Sequence, residues 1–311
     1  MRSILAGMGL ALVASASMAE VPNVATDIPP VQSLAARVMA GLGAPDLIIR
    51  PGASPHGYAL RPSEAAALQR ADLVFFVSAE LTPWLKRATQ PLSAEAVMIE
   101  LQSIPGIVTH GFRDRAVFVE PDHDHDHGES GDHDSHDQTG NDPHGWLDPE
   151  NGKLWLGAIA EALAAEDPEN AATYRRNAEA GRAEIDTAIA GAKAILEPVR
   201  EANFVVFHDA FQYFERRFGL HSIGAISLSD ATKPGPKRVA EIRDAVRAMG
   251  VVCVFSEPQF NPGLVKTVFE GSLARTAILD PLGLELETGA GMYPTLIEAL
   301  AREMAECLGG G

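Results

Sequence analysis

One pattern in the sequence limits most strongly how this chain of 311 residues can fold. It is the presence of two series of alternating predicted strands and helices, separated by one long helical segment. The segment from Pro168 to Val199 has no proline between residues 169 and 197, and its apolar side chains recur on one helical face. Before it, apolar runs such as Asp72 to Val77 alternate with helical patterns, and the run from Phe204 to Phe207 opens a second series. Strands that alternate with helices are typical of parallel sheets flanked by helices.

The pattern therefore predicts an α/β protein with two lobes joined by a rigid helix. A helix of about 30 residues would be roughly 45 Å long, which suits a strut better than a flexible linker. We expect a signal peptide at 1–19, an N-terminal lobe at 20–166, a linking helix at 167–199 and a C-terminal lobe at 200–311. Residues 121–143 are expected to form a mobile loop within the N-terminal lobe.

The first nineteen residues have the pattern of a secretory signal peptide. Arg2 precedes an apolar run from Ile4 to Val13, and Ser17-Met18-Ala19 offers the small residues that signal peptidase requires. The run is too short to span a bilayer as a permanent helix. We expect cleavage after Ala19 and a soluble mature protein in the periplasm.

The net charge limits which partners are expected, and the cysteine content bears on disulfide formation. The chain carries 42 acidic and 25 basic residues, a formal net charge of −17, which argues against nucleic acid as a partner. In an exported chain its two cysteines, Cys253 and Cys307, most simply form a disulfide that ties the last helix to the second lobe. Reduced or metal-binding thiols are the alternative, and they would need further ligands that the sequence does not identify.

An acidic, histidine-rich stretch precedes the long helices. Residues 120–148 read EPDHDHDHGESGDHDSHDQTGNDPHGWLD and contain six of the ten histidines. The first part lacks the apolar side chains that a core requires. Its imidazoles and carboxylates predict weak binding of zinc, copper or nickel at several sites, although an inert acidic linker is the alternative. The predicted low-affinity ligands are His123, His125, His127, His133 and His136.

Four other residues are predicted to be the ligands of a single site that binds a metal ion more tightly. His144 lies in DPHGWLDP, where Pro143 and Pro149 restrict the backbone. In open parallel sheets, functional groups collect just past the carboxyl ends of the strands, and three further candidates follow predicted strands. Three imidazoles and a carboxylate from both lobes would form a tetrahedral zinc site in the interlobe cleft. We therefore predict as ligands His56, His144, His208 and Asp280.

Other polar residues near strand ends have plainer interpretations. For Asp209, the N-cap of the next helix is one interpretation among others. Glu257 also follows a strand and could hydrogen-bond a ligating histidine, but a structural role is favoured for it. His110 and His221 are expected to be exposed and outside the site.

Several motifs resemble one known family. PHGYALRPSE, DPHGWLDPENG, FHDAFQYFERRFGL, FSEPQFNP and LDPLG resemble segments of the zinc-binding proteins of bacterial ABC importers, the ZnuA type, across essentially the whole mature chain. The resemblance implies two Rossmann-like lobes on a backbone helix, a cleft site with His56, His144 and His208 as imidazole ligands, and the acidic loop near the cleft mouth. It also implies handover of zinc to a membrane permease and a disulfide between Cys253 and Cys307. Ser54 and Pro55 stand where some members have a nearby glutamate, which leaves the fourth ligand position to Asp280 or water.

The function that we predict is high-affinity zinc capture in the periplasm and delivery to an ABC permease, without catalysis. We expect a monomer, and a periplasmic metallochaperone is considered as a further partner. One alternative is a manganese or iron carrier, but His208 stands where manganese-binding relatives have glutamate, and imidazole favours zinc. The other is a periplasmic zinc-dependent hydrolase with Glu257 as general base, which no helical H-E-x-x-H and no nucleophile elbow supports.

Overall fold

The computed structural model describes residues 21–92, 95–113, 115–118, 140–227, 235–260, 269 and 271–310. The predicted signal peptide and the five histidines of the acidic loop lie outside these residues. Among the described helices, none is both long enough and apolar enough to cross a lipid bilayer.

The N-terminal lobe is built on a parallel four-stranded sheet. Its strands are β1 (Val24–Thr26), β2 (Asp46–Leu47), β3 (Leu73–Phe76) and β4 (Val97–Glu100), in the order β2-β1-β3-β4. The first three described helices are α1 (Pro29–Val38), α2 (Pro62–Arg70) and α3 (Leu85–Leu92). Every residue of β3 is buried, because a central parallel strand is covered on both faces.

The C-terminal lobe repeats this arrangement. Strands β5 (Phe204–His208), β6 (Ser222–Ser227), β7 (Cys253–Ser256) and β8 (Arg275–Ile278) form a parallel sheet in the order β6-β5-β7-β8. Its described helices are α6 (Gln212–Phe218), α7 (Pro236–Ala248) and α8 (Met292–Gly309). The prediction of two parallel α/β lobes is therefore confirmed.

Two long helices lie between the two sheets in sequence, and the second of them contacts both lobes. Helix α4 (Pro149–Glu166) packs against α5 (Ala171–Leu196), and α5 also contacts α1 of the first lobe and α8 of the second. Helix α5 has 26 residues, about 39 Å at 1.5 Å per residue. A 3-10 turn at Glu197–Val199 continues it, because Pro198 has no N–H to donate to the α-helical ladder. The helix predicted from Pro168 to Val199 is thus present, but its α-helical part begins three residues later and ends three residues earlier than predicted.

The two lobes share one buried apolar cluster and several polar contacts. The Tyr293 hydroxyl donates to the carbonyl of Trp146 (2.6 Å), and the Tyr293 amide donates to the Ser33 hydroxyl (2.9 Å). Arg217 on α6 binds both carboxylate oxygens of Asp148 at the start of α4, each at 2.7 Å. These contacts oppose large rigid-body motion of one lobe against the other.

Residues 115–118 cross to the second lobe, a contact that the sequence did not predict. Val117 forms an antiparallel bridge with Gly224 of β6, and the Phe118 amide donates to the Ile223 carbonyl. A Cβ atom at Gly224 would lie 2.2 Å from the Ala116 carbonyl oxygen, so a glycine is required for this approach. The edge of the C-terminal sheet is thereby covered by a segment that precedes the acidic loop.

The Cys253–Cys307 disulfide connects the beginning of β7 to α8. Within the described chain no cysteine is free. The predicted disulfide is therefore confirmed, and the alternative of metal-binding thiols is wrong.

Candidate metal centre

Three histidines from separate parts of the chain converge between the lobes. One ring nitrogen of each of His56, His144 and His208 lies within 4.8 Å of the others. The ring centroids are 4.8 Å apart for His144 and His208, and 5.7 and 6.1 Å from these two to His56. His144 and His208 are buried, whereas His56 is half-buried. The cluster therefore has one side closer to solvent, at His56.

His144 is held by the carboxylate of Asp142, two residues earlier. The distance from Nδ1 of His144 to Oδ1 of Asp142 is 2.6 Å, and the backbone amide of His144 donates to the same oxygen. Gln212 at the start of α6 donates to the other oxygen at 3.2 Å. Asp142 is 1% exposed, and this burial raises its pKa to about 7, although the His144 amide and the charge of Arg113 act in the opposite direction.

His208 has a similar partner from a neighbouring strand. It is the last residue of β5, and its Nδ1 lies 2.9 Å from Oε1 of Glu257, which directly follows β7. Because β5 and β7 pair in parallel, both side chains lie at the same edge of the sheet. Gln259 donates to the other oxygen of Glu257 at 2.7 Å. The structural role favoured for Glu257 from sequence is therefore incomplete, since its carboxylate also contacts a histidine of the cluster.

The loop that carries His56 is fixed on both sides of the histidine. Trp84 Nε1 donates to the carbonyl of Pro55 at 2.8 Å. The ring of Tyr58 lies 5.6 Å from the Trp84 ring, and its hydroxyl donates to Glu64 at 2.7 Å. Glu64 also accepts from the Arg61 amide at the beginning of α2. Residues 55–58 are thus tied to α2 and to the turn before α3.

Asp280 is placed differently from the three histidines. Its carboxylate accepts hydrogen bonds from the backbone amides of Leu282 and Leu284, which closes a turn after β8. It is not a member of the described group of ligand atoms within 4.8 Å of one another. The turn lies close to the site, because Trp146 Nε1 donates to the carbonyl of Pro281 at 2.8 Å. Asp280 as the fourth ligand stays a prediction.

A buried ion-pair network lies beside the cluster. Arg113 binds the carboxylates of Asp209 and Glu215, and its guanidinium lies 3.8 Å from the centroid of the Phe118 ring. Burial raises the pKa of Asp209 to about 6, whereas Arg113 lowers it. The interpretation of Asp209 as an N-cap is wrong, because α6 begins after Phe211 and the Asp209 carboxylate is occupied by Arg113.

Comparison with known proteins identifies the family of this chain. The family model for the periplasmic zinc-uptake complex component A, ZnuA, matches residues 24–307. The chain belongs to the ZnuA family. It is 41% identical to the high-affinity zinc uptake system protein ZnuA of Paracoccus denitrificans, with 99% of this chain and 98% of the relative covered. It is 40% identical to the protein of that name from Brucella abortus, with 98% and 97% covered. The resemblance inferred from the motifs is therefore confirmed.

Solved structures with the same fold include ZnuA-type proteins. A crystal structure of ZnuA has a TM-score of 0.75 at 24% identity and covers 92% of this chain and 99% of its own. A Mn-bound mutant of the periplasmic metal binding protein from Candidatus Liberibacter asiaticus has a TM-score of 0.74 at 20% identity, with the same coverage. At these identities the likeness establishes the shared fold alone.

Sequence reasoning missed some residues around the histidines of this ZnuA-family chain. Asp142 was treated only as part of a rigid motif, although its position two residues before His144 offered a signal for a side-chain contact. No local sequence pattern predicts the contact between Arg113 and Asp209, because 96 residues separate them. His110 is half-buried with its ring 4.7 Å from that of Tyr213, so the expectation that it is exposed is wrong. His221 is exposed as predicted.

Proposed function

We propose that this chain captures Zn²⁺ with high affinity in the periplasm and delivers it to the membrane permease of an ABC importer. The observation that carries the proposal is the convergence of His56, His144 and His208, with ring nitrogens within 4.8 Å of one another. Membership of a family described as a periplasmic component of a zinc-uptake complex supports it. Zinc is the cargo of such a protein, bound for release and not for catalysis.

The donor set favours zinc over manganese. In both His144 and His208, Nδ1 faces a carboxylate, which leaves Nε2 as the nitrogen that would bind the ion. Three neutral imidazoles suit a borderline ion such as Zn²⁺, whereas Mn²⁺ prefers carboxylate and water oxygens. We therefore assign the ion to these three side chains and leave the fourth position to Asp280 or a water molecule.

Capture and release are assigned to the loop of His56. The polar contacts between the lobes and their shared core oppose wide opening. His56 is the half-buried member of the cluster and lies between β2 and α2, outside regular structure. A displacement of this loop would remove one ligand and open the site without separation of the lobes.

The rival functions fit these contacts less well. A hydrolase would need a general base that is free to accept a proton from water. The carboxylate of Glu257 instead contacts His208 and accepts a hydrogen bond from Gln259. A manganese carrier would be expected to offer harder oxygen donors than three imidazoles.

The proposal is tested by chelator-competition titration of the purified protein with zinc and with manganese. We expect one zinc ion per chain that resists a strong chelator and is not displaced by manganese. His208→Ala should weaken this site by more than the ~10- to 100-fold that loss of a hydrogen-bond partner of a ligand typically costs. His221→Ala, which removes an exposed histidine, is the matched control and should bind as the parent does.

Equal or tighter manganese binding by the parent would contradict the metal assignment. Unchanged zinc binding by His208→Ala would contradict the site. Delivery is tested separately, since a strain that lacks this protein should regain growth at scarce zinc when it expresses the parent but not His208→Ala.

A further inference from the structure

Two tight turns, one from each lobe, meet beside the segment that carries His56. The first turn begins at Arg50, and the amide of Ala53 donates to the Arg50 carbonyl at 3.1 Å. Gly52, the third residue of this turn, has a φ angle of +81°, as a type II turn requires. Pro51 stands before it, where such turns favour proline. The chain therefore enters the loop of His56 through a rigid turn.

The second turn follows β8 in the C-terminal lobe. The Asp280 carboxylate closes it by accepting backbone N–H groups, that of Leu284 among them. The carbonyl of Pro281 accepts the indole N–H of Trp146 at 2.8 Å, and the Trp146 ring centroid lies 5.2 Å from that of His144. This turn is therefore fixed against the segment that carries another histidine of the cluster.

The two turns touch through Gly52 and Leu284. Gly52 lies in the His56 loop, residues 48–61 between β2 and α2. A Cβ atom at Gly52 would lie 3.2 Å from Cδ1 and 3.7 Å from Cδ2 of Leu284, so the leucine side chain rests on the glycine backbone. Apart from the chain neighbours of Gly52, no other described residue lies within 4 Å of that point. Both the positive φ angle and this close approach favour glycine here.

Leu284 packs differently from the leucines two residues before and after it. Leu282 is buried in the apolar cluster that the lobes share, and Leu286 packs against the same cluster. Leu284 is half-buried and, among the described residues, belongs to none of the apolar clusters. Its side chain therefore lies against the His56 loop and not in the core.

We propose that Leu284 is a positioning residue of the zinc site, and that its contact with Gly52 holds the His56 loop closed over the ion. This inference rests on the function proposed above, and it names a contact that must break when the loop releases zinc. The hydrogen bonds that the loop makes with Trp84 and Glu64 lie within the N-terminal lobe, whereas the Gly52–Leu284 contact crosses to the other lobe. Separation at this contact would free the half-buried histidine without disturbing the shared core.

The contact should act mainly on the rate of zinc release. Changes at a binding site usually alter dissociation more than association. Truncation of Leu284 removes part of the free energy that burial of a leucine contributes, so we expect zinc release to accelerate by roughly 3- to 10-fold. The apparent affinity should fall by a similar factor, because a smaller fraction of the molecules holds His56 in the binding-competent position.

The variant that tests the proposal is Leu284→Ala, and Leu286→Ala is the matched control. Both remove the same atoms from a half-buried leucine, but Leu286 packs against the shared core. Zinc release is measured by stopped-flow, zinc affinity by chelator competition, and stability by thermal unfolding of the metal-free protein. We expect faster release from Leu284→Ala with a small change in Tm, and a larger fall in Tm with parental release from Leu286→Ala. Leu284→Met, which conserves the volume, should release zinc at the parental rate.

A double-mutant cycle tests the contact itself. Gly52→Ala should also speed release, because it strains the turn and places a methyl group against Leu284. The strain does not depend on the residue at position 284, whereas the clash and the lost contact do. The acceleration in Gly52→Ala/Leu284→Ala should therefore be smaller than the product of the two single accelerations.

Faster release from Leu284→Ala, parental release from Leu286→Ala and a non-additive cycle would support the proposal. Parental release and affinity in Leu284→Ala would overturn it and leave the zinc function intact, provided that His208→Ala still loses the site. Equal acceleration in Leu286→Ala would also overturn it, since the effect would then be a general loosening of the lobe. If Leu284→Ala does not fold, Gly52→Ala decides by the same measurements. Absence of a tight zinc site in the parent would contradict the function itself, and this inference with it.

Discussion

Replacement of Trp84 by phenylalanine should weaken zinc binding although Trp84 is not a ligand. Its indole N–H donates to the carbonyl of Pro55, the residue before His56, and its ring contacts Tyr58 on the other side of that histidine. Phenylalanine keeps most of the ring contact and removes the hydrogen bond. The His56 loop would then sample positions from which the imidazole cannot reach the other two histidines.

The magnitude follows from one lost hydrogen bond. A neutral hydrogen bond contributes about 0.5–1.5 kcal/mol net, and 1 kcal/mol corresponds to a factor of about five in an equilibrium constant. Because apparent affinity falls with the fraction of molecules in the binding-competent state, Trp84→Phe should weaken zinc binding by up to about fivefold. The stoichiometry of one tight ion should not change.

The assay is chelator competition together with stopped-flow measurement of zinc release, which should accelerate by a similar factor. Trp155→Phe is the control, because Trp155 on α4 is fully buried and its Nε1 makes no hydrogen bond within the described residues. It should lower thermal stability without a change in zinc affinity. Parental affinity and release rate in Trp84→Phe would refute the reasoning that this contact fixes His56.

Three further predictions concern the disulfide, the ion-pair network and the acidic loop. Reduction of the Cys253–Cys307 bridge, which closes a separation of 54 residues, should lower the free energy of unfolding by about 4 kcal/mol in guanidinium titration, and an unchanged midpoint would contradict this. Arg113→Ala should destabilise the protein by roughly 3–5 kcal/mol, because two buried carboxylates lose their cation. The loss should be larger at pH 8 than at pH 5, because without Arg113 the buried Asp209 carboxyl has a higher pKa in the folded variant, and stability then falls as pH rises through that pKa. An equal loss at both pH values would contradict this account. Deletion of residues 121–139 should reduce the number of zinc ions bound at saturation and retain one tight ion, whereas an unchanged number would contradict the predicted weak binding by the histidines of this stretch.

The sequence predicted the histidines of the site because their placement follows from local pattern. Apolar runs marked the parallel strands, and His208 follows such a run at the edge where functional groups of these sheets collect. His144 was recognised from the prolines that flank it. Each of these inferences needed only the residues on either side of the histidine in the sequence.

The remaining features depend on contacts between distant segments. Residues 115–118 pair with the edge strand β6, and no local sequence pattern predicts that these two segments meet. The contact between His208 and Glu257 requires the register of β5 against β7, which the sequence does not state. For Asp280 the local sequence was not sufficient, because a carboxylate at the end of a strand can close a turn as readily as bind a metal. In the structure its carboxylate accepts backbone hydrogen bonds that close a turn.

The most direct test of the account is anomalous diffraction at the zinc absorption edge from crystals of the zinc-loaded protein. The account predicts one strong peak per chain, about 2.0–2.1 Å from a ring nitrogen of each of His56, His144 and His208, as zinc–imidazole bonds require. A principal peak elsewhere, or one that contacts fewer than three of these rings, would contradict it.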